Sequence, residues 1–208
     1  MPRAPKEALQ AGGPLAAAMA WTLRKATPKD LPLLVRHRDA MWIEMGRVAP
    51  GEHDPTSKAY GKWLLARMRR GTLTAFIIQE DGSRGKPGAV LASGGVWIQD
   101  VQPRPGHPLT MWGYILSVYT EPHARRRGLA RAIVDACIEH AREAGCTRCC
   151  LHASDEGRPL YERLGFEKTA EMWLDLRPAH KRPVSRGKPP SKAVAEAPKP
   201  LAPGRKRS

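Results

Sequence analysis

From Trp21 onward the apolar residues follow two rhythms, and the switches between them predict the elements. Trp21 to Lys25 reads as a strand. Thr27-Pro28-Lys29-Asp30 is its exit turn, with Thr27 able to cap a helix and Pro28 suited to a first helical position. Helical spacing then runs through Leu33, Leu34, His37, Met41 and Ile43 to Gly46. Asp54-Pro55 opens a second helix carrying Tyr60, Trp63, Leu64 and Met68, which stops at Gly71. Thr72 to Gln79 and Ala89 to Ile98 read as strands of a loose hairpin, and 103–108 is a Pro-rich loop. The next strand ends Tyr114-Ile115-Leu116-Ser117-Val118-Tyr119-Thr120, rich in residues that fill a central strand, and Pro122 stops it. Ala130, Ile133, Val134, Cys137 and Ala141 fall at helical spacing as far as Ala144. Cys146 to Ala153 predicts another strand, Glu156 to Leu164 a short helix ended by Gly165, and Phe166 with Thr169–Leu176 the closing strands. This order predicts an α/β mixed sheet of six to seven strands with helices on both faces.

The loop between the central strand and its helix carries the clearest chemistry. Arg125, Arg126 and Arg127 precede Gly128, Leu129 and Ala130, and Arg131 follows at the start of the amphipathic run. Cations at a helix N-terminus oppose the helix dipole, so they are poorly placed for stability alone. They suit an anion, because the first-turn amides have no internal acceptor and Gly128 and Ala130 allow a phosphate to approach closely. A diphosphate is the guest this loop fits.

Arg125-x-x-Gly128-x-Ala130 after a strand ending Val118-Tyr119-Thr120-Glu121-Pro122 resembles the acetyl-CoA-binding motif of the GNAT superfamily of N-acetyltransferases. Leu160-Tyr161-Glu162-Arg163-Leu164-Gly165-Phe166 resembles that family's LYxxxGF signature, and the likeness spans Trp21 to Arg177. The resemblance implies a sheet splayed between its fourth and fifth strands, near Thr120 and Ala153, with the acetyl-pantetheine arm in the gap. It implies acetyl-CoA as co-substrate, bound by Val118, Tyr119 and Thr120 and by Arg125, Arg126, Arg127, Gly128, Leu129, Ala130 and Arg131. Tyr161 takes the general-acid position, and the backbone amides of Val118 and Thr120 polarise the acetyl carbonyl. The reaction implied is direct acetyl transfer to a primary amine on a small molecule or a protein. The resemblance also admits a homodimer.

Two positions depart from the family pattern. Ser154 stands where many members have an asparagine that supports pantetheine, and a hydroxyl reaches less far. The stretch Met111-Trp112-Gly113-Tyr114 lacks the glutamate base of some members, which leaves Glu44, Glu121 and His37 as candidate bases. An alkyl amine with a pKa of about 10.4 needs one at neutral pH. Cys146, Cys149 and Cys150 do not suggest a metal site, because alternate strand residues point to opposite faces. They read as free thiols of a reducing compartment, hence a cytoplasmic protein. Trp42, Trp97 and Trp112 are candidate acceptor-pocket residues, although aromatics at such positions more often serve the core.

Charge changes this picture only at the end of the chain. Of the formal +15, residues from Pro178 onward hold +8, with nine Lys or Arg, one acid and seven prolines. Such a tail cannot bury enough apolar surface to fold, and 178–208 is expected to be disordered. It reads as a solubilising extension in preference to a nucleic-acid arm. Residues 1–20 are expected to be a disordered extension, with Met19 a second candidate start, and no stretch is long and apolar enough to span a membrane. The folded domain is expected over 21–177. The alternatives to an enzyme are a non-catalytic acyl-CoA-binding module and a nucleic-acid-associated protein using the tail.

Overall fold

The computed structural model describes residues 21–176, apart from 53, 83–87, 104–109, 173 and 175. The expected extensions 1–20 and 178–208 therefore lie outside the described residues. The chain divides into two units, Met1–Ala170 and Glu171–Ser208. The described part of the first is one sheet with a helical layer on each face. Its elements are β1 (Trp21–Lys25), α1 (Leu31–Glu44), α2 (Ser57–Arg69), β2 (Leu73–Glu80), β3 (Val90–Asp100), β4 (Met111–Thr120), α3 (Leu129–Glu143), β5 (Arg148–Cys150) and α4 (Arg158–Arg163). Short 3-10 turns at Pro28–Asp30 and Pro122–Ala124 lead into α1 and towards α3.

The strands lie in chain order, β1-β2-β3-β4-β5, antiparallel except for the parallel β4–β5 pair. A helical crossover between β4 and β5 is what a parallel neighbour requires, and α3 supplies it. Two apolar clusters sandwich the sheet. One joins Ile78, Ala92, Val96 and Ile115 to Leu129, Ile133, Val134 and Cys137 of α3, with Tyr161, Leu164 and Phe166 at its margin. The other joins Ala75 and Ile77 to Leu34 of α1 and Leu64 of α2. Among the α3 positions Leu129, not Ala130, is the buried residue of the first turn.

The middle of β3, Ala92-Ser93-Gly94-Gly95, is unusually small for a central strand. A Cβ on Gly94 would lie 2.6 Å from Ile133 Cγ2 and 3.1 Å from Val118 Cγ2. The missing side chain thus allows α3 to press on the sheet. On the opposite face a Cβ on Gly95 would meet the Thr74 carbonyl at 3.3 Å, so its absence opens space there.

Two expectations change. Five strands are found among the described residues, and the strand expected over Cys146–Ala153 contracts to Arg148–Cys150. The short helix starts at Arg158, after Ser154 Oγ and its carbonyl accept from the Gly157 and Arg158 amides. Those bonds form a turn over 154–158 and move the helix start from the expected Glu156 to Arg158. In the second unit, residues 171, 172, 174 and 176 are described; none is in a strand, and Met172, Leu174 and Leu176 are exposed.

Candidate active site

The site is built around the point where β4 leaves its neighbours. Pairing with β5 covers only Trp112, Gly113 and Tyr114. From Ile115 to Thr120 the β5-facing edge of β4 has no strand partner among the described residues. That is the splay expected near Thr120. On the β3 side the register shifts between Ser93 and Gly95, which face Tyr119 and Leu116, so β4 carries one extra residue. Ser117 absorbs the bulge at φ 52°, in the left-handed region that a residue with a side chain seldom occupies. A bulge re-aims backbone groups, and here it does so beside Val118, Tyr119 and Thr120.

Beyond Thr120 the chain turns through Pro122–Ala124 into the basic loop. Arg126 at φ 61° and Gly128 at φ 79° both adopt left-handed backbone, and Gly128 caps α3. The first backbone bond of the helix runs from the Ala132 amide to the Gly128 carbonyl at 3.1 Å. Among the described residues the amides of Arg126 to Arg131 find no backbone acceptor. A Cβ on Gly128 would meet nothing within 4 Å, so the space in front of this turn is open. The turn is a concave set of donors at the positive end of a fifteen-residue helix.

The arginines divide their work. Arg125 donates to both Glu44 carboxylate oxygens at 2.6 Å and to the Thr120 carbonyl at 3.1 Å, so its side chain ties the loop to α1. Tyr119 donates to Glu44 at 3.3 Å; burial and then the Glu44 charge push its hydroxyl pKa up. Arg126 is exposed, and Arg127 Nη1 is buried without a hydrogen-bond partner among the described residues. Thr120 Oγ1 is likewise buried and unpartnered there. An unmet cationic donor is costly to bury unless something accepts from it.

Tyr161 and Val118 both pack against the α3-side cluster. Phe166 meets the Tyr161 ring edge-on at 6.0 Å. Gly157 lies beneath it, where a Cβ would approach Tyr161 Cε2 to 3.0 Å. The hydroxyl makes no hydrogen bond among the described residues. Burial, then the neighbouring Cys137, raises its pKa, so it carries its proton at neutral pH. Ser154, at the asparagine position, accepts from the Gly157 amide at 3.1 Å and is occupied in starting α4.

On the other face, α1 and α2 leave a small cleft against β3 and β4, lined by Leu34, Tyr60, Ser93, Gly95, Leu116 and Ser117 among others. Tyr60 and Ser117 hydroxyls are 3.2 Å apart across it. Arg38 sets the Tyr60 ring by stacking at 4.6 Å while bonding Asp54 at 2.5 Å and Thr56 at 2.9 Å. The three candidate tryptophans do not line this cleft: Trp97 packs edge-on to Trp63 at 5.2 Å, Arg148 lies over Trp112, and Arg38 over Trp42. The candidate bases are Glu44, held by Arg125; Glu121, held by Arg36 at 2.8 Å; and His37, fully buried between Ser93 and Glu121. Ser93 and Tyr60 escape sequence reasoning, since each matters through a partner distant in the chain. Among the described residues no three His, Cys, Asp or Glu side chains converge as a metal site would require.

A splayed strand with a bulge, leading into an open amide turn, defines an α/β protein suited to an extended ligand with a diphosphate. Residues 38–166 match the Acetyltransferase (GNAT) family. Glucosamine 6-phosphate N-acetyltransferase of Trypanosoma brucei brucei is 32% identical over 113 residues, 54% of this chain and 73% of that protein. A predicted acetyltransferase of Clostridium acetobutylicum, with acetyl-CoA, superposes with a TM-score of 0.67 at 29% identity, over 76% of this chain and 96% of that one. A GCN5-related N-acetyltransferase from Ralstonia eutropha JMP134 gives 0.63 at 32%, over 76% and 99%. The chain belongs to the acetyltransferase (GNAT) family. It is an acetyl-CoA-dependent N-acetyltransferase.

Proposed function

We propose that the acetyl group passes directly from acetyl-CoA to a primary amine at the β4 bulge. The CoA diphosphate sits on the amides of Arg126 to Arg131, with Arg126 and Arg127 supplying charge and Arg125 holding the loop in place. The pantetheine arm runs along the open edge of β4 as a substitute strand, bonded by the Val118 and Thr120 backbone. The same amides stabilise the oxyanion that forms as the thioester carbonyl is attacked. Tyr161 protonates the departing thiolate. The observation carrying this reading is the open amide turn, continuous with the unpaired edge of β4.

Direct transfer agrees with the thiols. Cys137 is buried on α3, and burial pushes Cys149 up to about 11, so neither offers a thiolate for an acetyl-enzyme intermediate. The acceptor is a small-molecule amine, as the Trypanosoma relative's name indicates for that protein. The apolar lining and three hydroxyls of the α1–α2 cleft suit the carbon skeleton next to the amine. Free cysteines support a reducing, cytoplasmic setting. Among the described residues no helix is long and apolar enough to cross a membrane. Incubation with acetyl-CoA and a panel of primary amines, glucosamine 6-phosphate included, tests the reaction. Amine-dependent release of free CoA thiol is expected; acetyl-CoA binding without release by any amine would contradict it.

A further inference from the structure

His37 is fully buried on α1, and both of its ring nitrogens are bonded. Nδ1 lies 2.7 Å from Ser93 Oγ, and Nε2 lies 3.2 Å from Glu121 Oε1. The direction of each hydrogen follows from the outer end. Burial pushes the Glu121 carboxyl up, but bonding and charge from Arg36 outweigh it and hold the group below its ordinary pKa. An ionised carboxylate only accepts, so Nε2 carries the ring hydrogen. Nδ1 is then an acceptor, and Ser93 donates its O–H to it. The Ser93 oxygen keeps its lone pairs for a donor in the cleft that it lines with Tyr60 and Ser117. Ser117 belongs to that cleft and also to the bulge where transfer takes place.

We propose that Ser93 takes the proton of the attacking amine and relays it to His37, with Glu121 holding the imidazole for the purpose. This rests on the acetyltransferase reading above and supplies the base that β4 lacks. As the amine nitrogen bonds to the thioester carbon, its N–H proton passes to Ser93 Oγ, directly or through one water held by the cleft hydroxyls. Ser93 passes its own hydrogen to Nδ1, giving an imidazolium beside the Glu121 carboxylate. Glu121 stays ionised, as the acid of a Ser-His-acid chain does. After product leaves, the proton returns through Ser93 to water in the cleft, restoring the starting tautomer. Burial, with the charge of Arg36, lowers the His37 pKa to about 4. The imidazole is therefore empty at neutral pH and gives its proton up readily. The charged and titratable groups facing His37 are Arg36 from its own helix, Tyr119 at 5.0 Å from β4, and Glu121 just beyond. Glu44 and Arg125 sit behind Tyr119.

The test is the pH dependence of turnover in Ser93→Ala and His37→Gln, with Glu121→Gln as the shape-preserving variant at the outer end. The acceptor is the fastest from a panel of primary amines that includes glucosamine 6-phosphate. At pH 7 kcat should fall by about 10²- to 10⁴-fold, the scale of one acid–base group, with KM for acetyl-CoA unchanged. The deficit should shrink as pH rises, because hydroxide then takes the N–H proton in place of the missing relay. Glu121→Gln should show a smaller deficit with the same recovery. A rate loss equal at every pH, or variants as fast as wild type, would overturn the relay and leave the acetyltransferase reading standing. A wild-type protein that acetylates no amine would overturn both.

Discussion

Tyr161 and His37 show how one environment serves opposite needs. Burial raises the phenol pKa and keeps its proton on, as the proposed donor to a thiolate requires, while it lowers the imidazole pKa and keeps that ring neutral. Tyr161→Phe retains the ring against Phe166 and deletes the hydroxyl. Turnover should fall by about 10²- to 10⁴-fold with CoA affinity nearly unchanged, as steady-state kinetics and calorimetry would show. A core role would instead cost about 1 kcal/mol of stability at full rate. His37 also predicts an acid sensitivity. Its folded pKa near 4 lies below the unfolded value of about 6.5, so the unfolded chain binds its proton first as pH falls. Its contribution is present above pH 6.5 and is lost as pH falls towards 4. Wild type should therefore lose more melting temperature across that window than His37→Gln does. Equal losses would show that the ring titrates normally in the folded protein.

Among the elements, β3 and β4 do most of the positioning. The small residues of β3 allow α3 to approach on one face and open the cleft on the other; the extra residue of β4 turns its backbone at Ser117. Gly94→Ala would set a methyl 2.6 Å from Ile133 Cγ2, within buried α3 packing. Such overpacking costs about 1–3 kcal/mol, measurable by urea unfolding. Because Val118 also crowds that position, acetyl-CoA affinity should drop with stability. Local pattern reveals the strand ending at Thr120, the helix that follows Gly128 and the amide turn between them, since each rests on neighbouring residues. It did not reveal the bulge, which is a property of two paired strands. Nor could it assemble Ser93, His37 and Glu121, whose members lie 56 and 84 residues apart. Alternation overstates β5, because Leu151 and Ala153 keep a strand-like pattern while pairing with β4 ends at Cys150.

At the scale of the whole molecule, the proposed enzyme joins a diphosphate-binding turn to an acceptor cleft. Helix α3 supplies the former, α1 and α2 the latter, and the β4 bulge is where they meet. The basic segment 178–208 has no part in this account. A chain ending at Arg177 should keep acetyl-CoA binding and turnover on a small amine. Turnover lost with binding retained would instead bring that segment to the acceptor. Of the formal charge of +15, +8 lies in that segment, whereas the proposed anion site of the domain uses backbone amides, which a charge count does not register.

The central claim is that the turn at Gly128 seats the CoA diphosphate. Its most direct test is the acetyl-CoA dissociation constant of Gly128→Asp beside wild type, by isothermal titration calorimetry. The position has open space for a side chain, so the variant should fold apart from local strain at φ 79°. The new carboxylate would stand where the phosphates lie, removing charge-assisted bonds that contribute about 1.5–3 kcal/mol each. We expect affinity to weaken by at least about tenfold, the equivalent of 1.4 kcal/mol. An unchanged dissociation constant in a folded Gly128→Asp protein would place the diphosphate elsewhere and contradict the account.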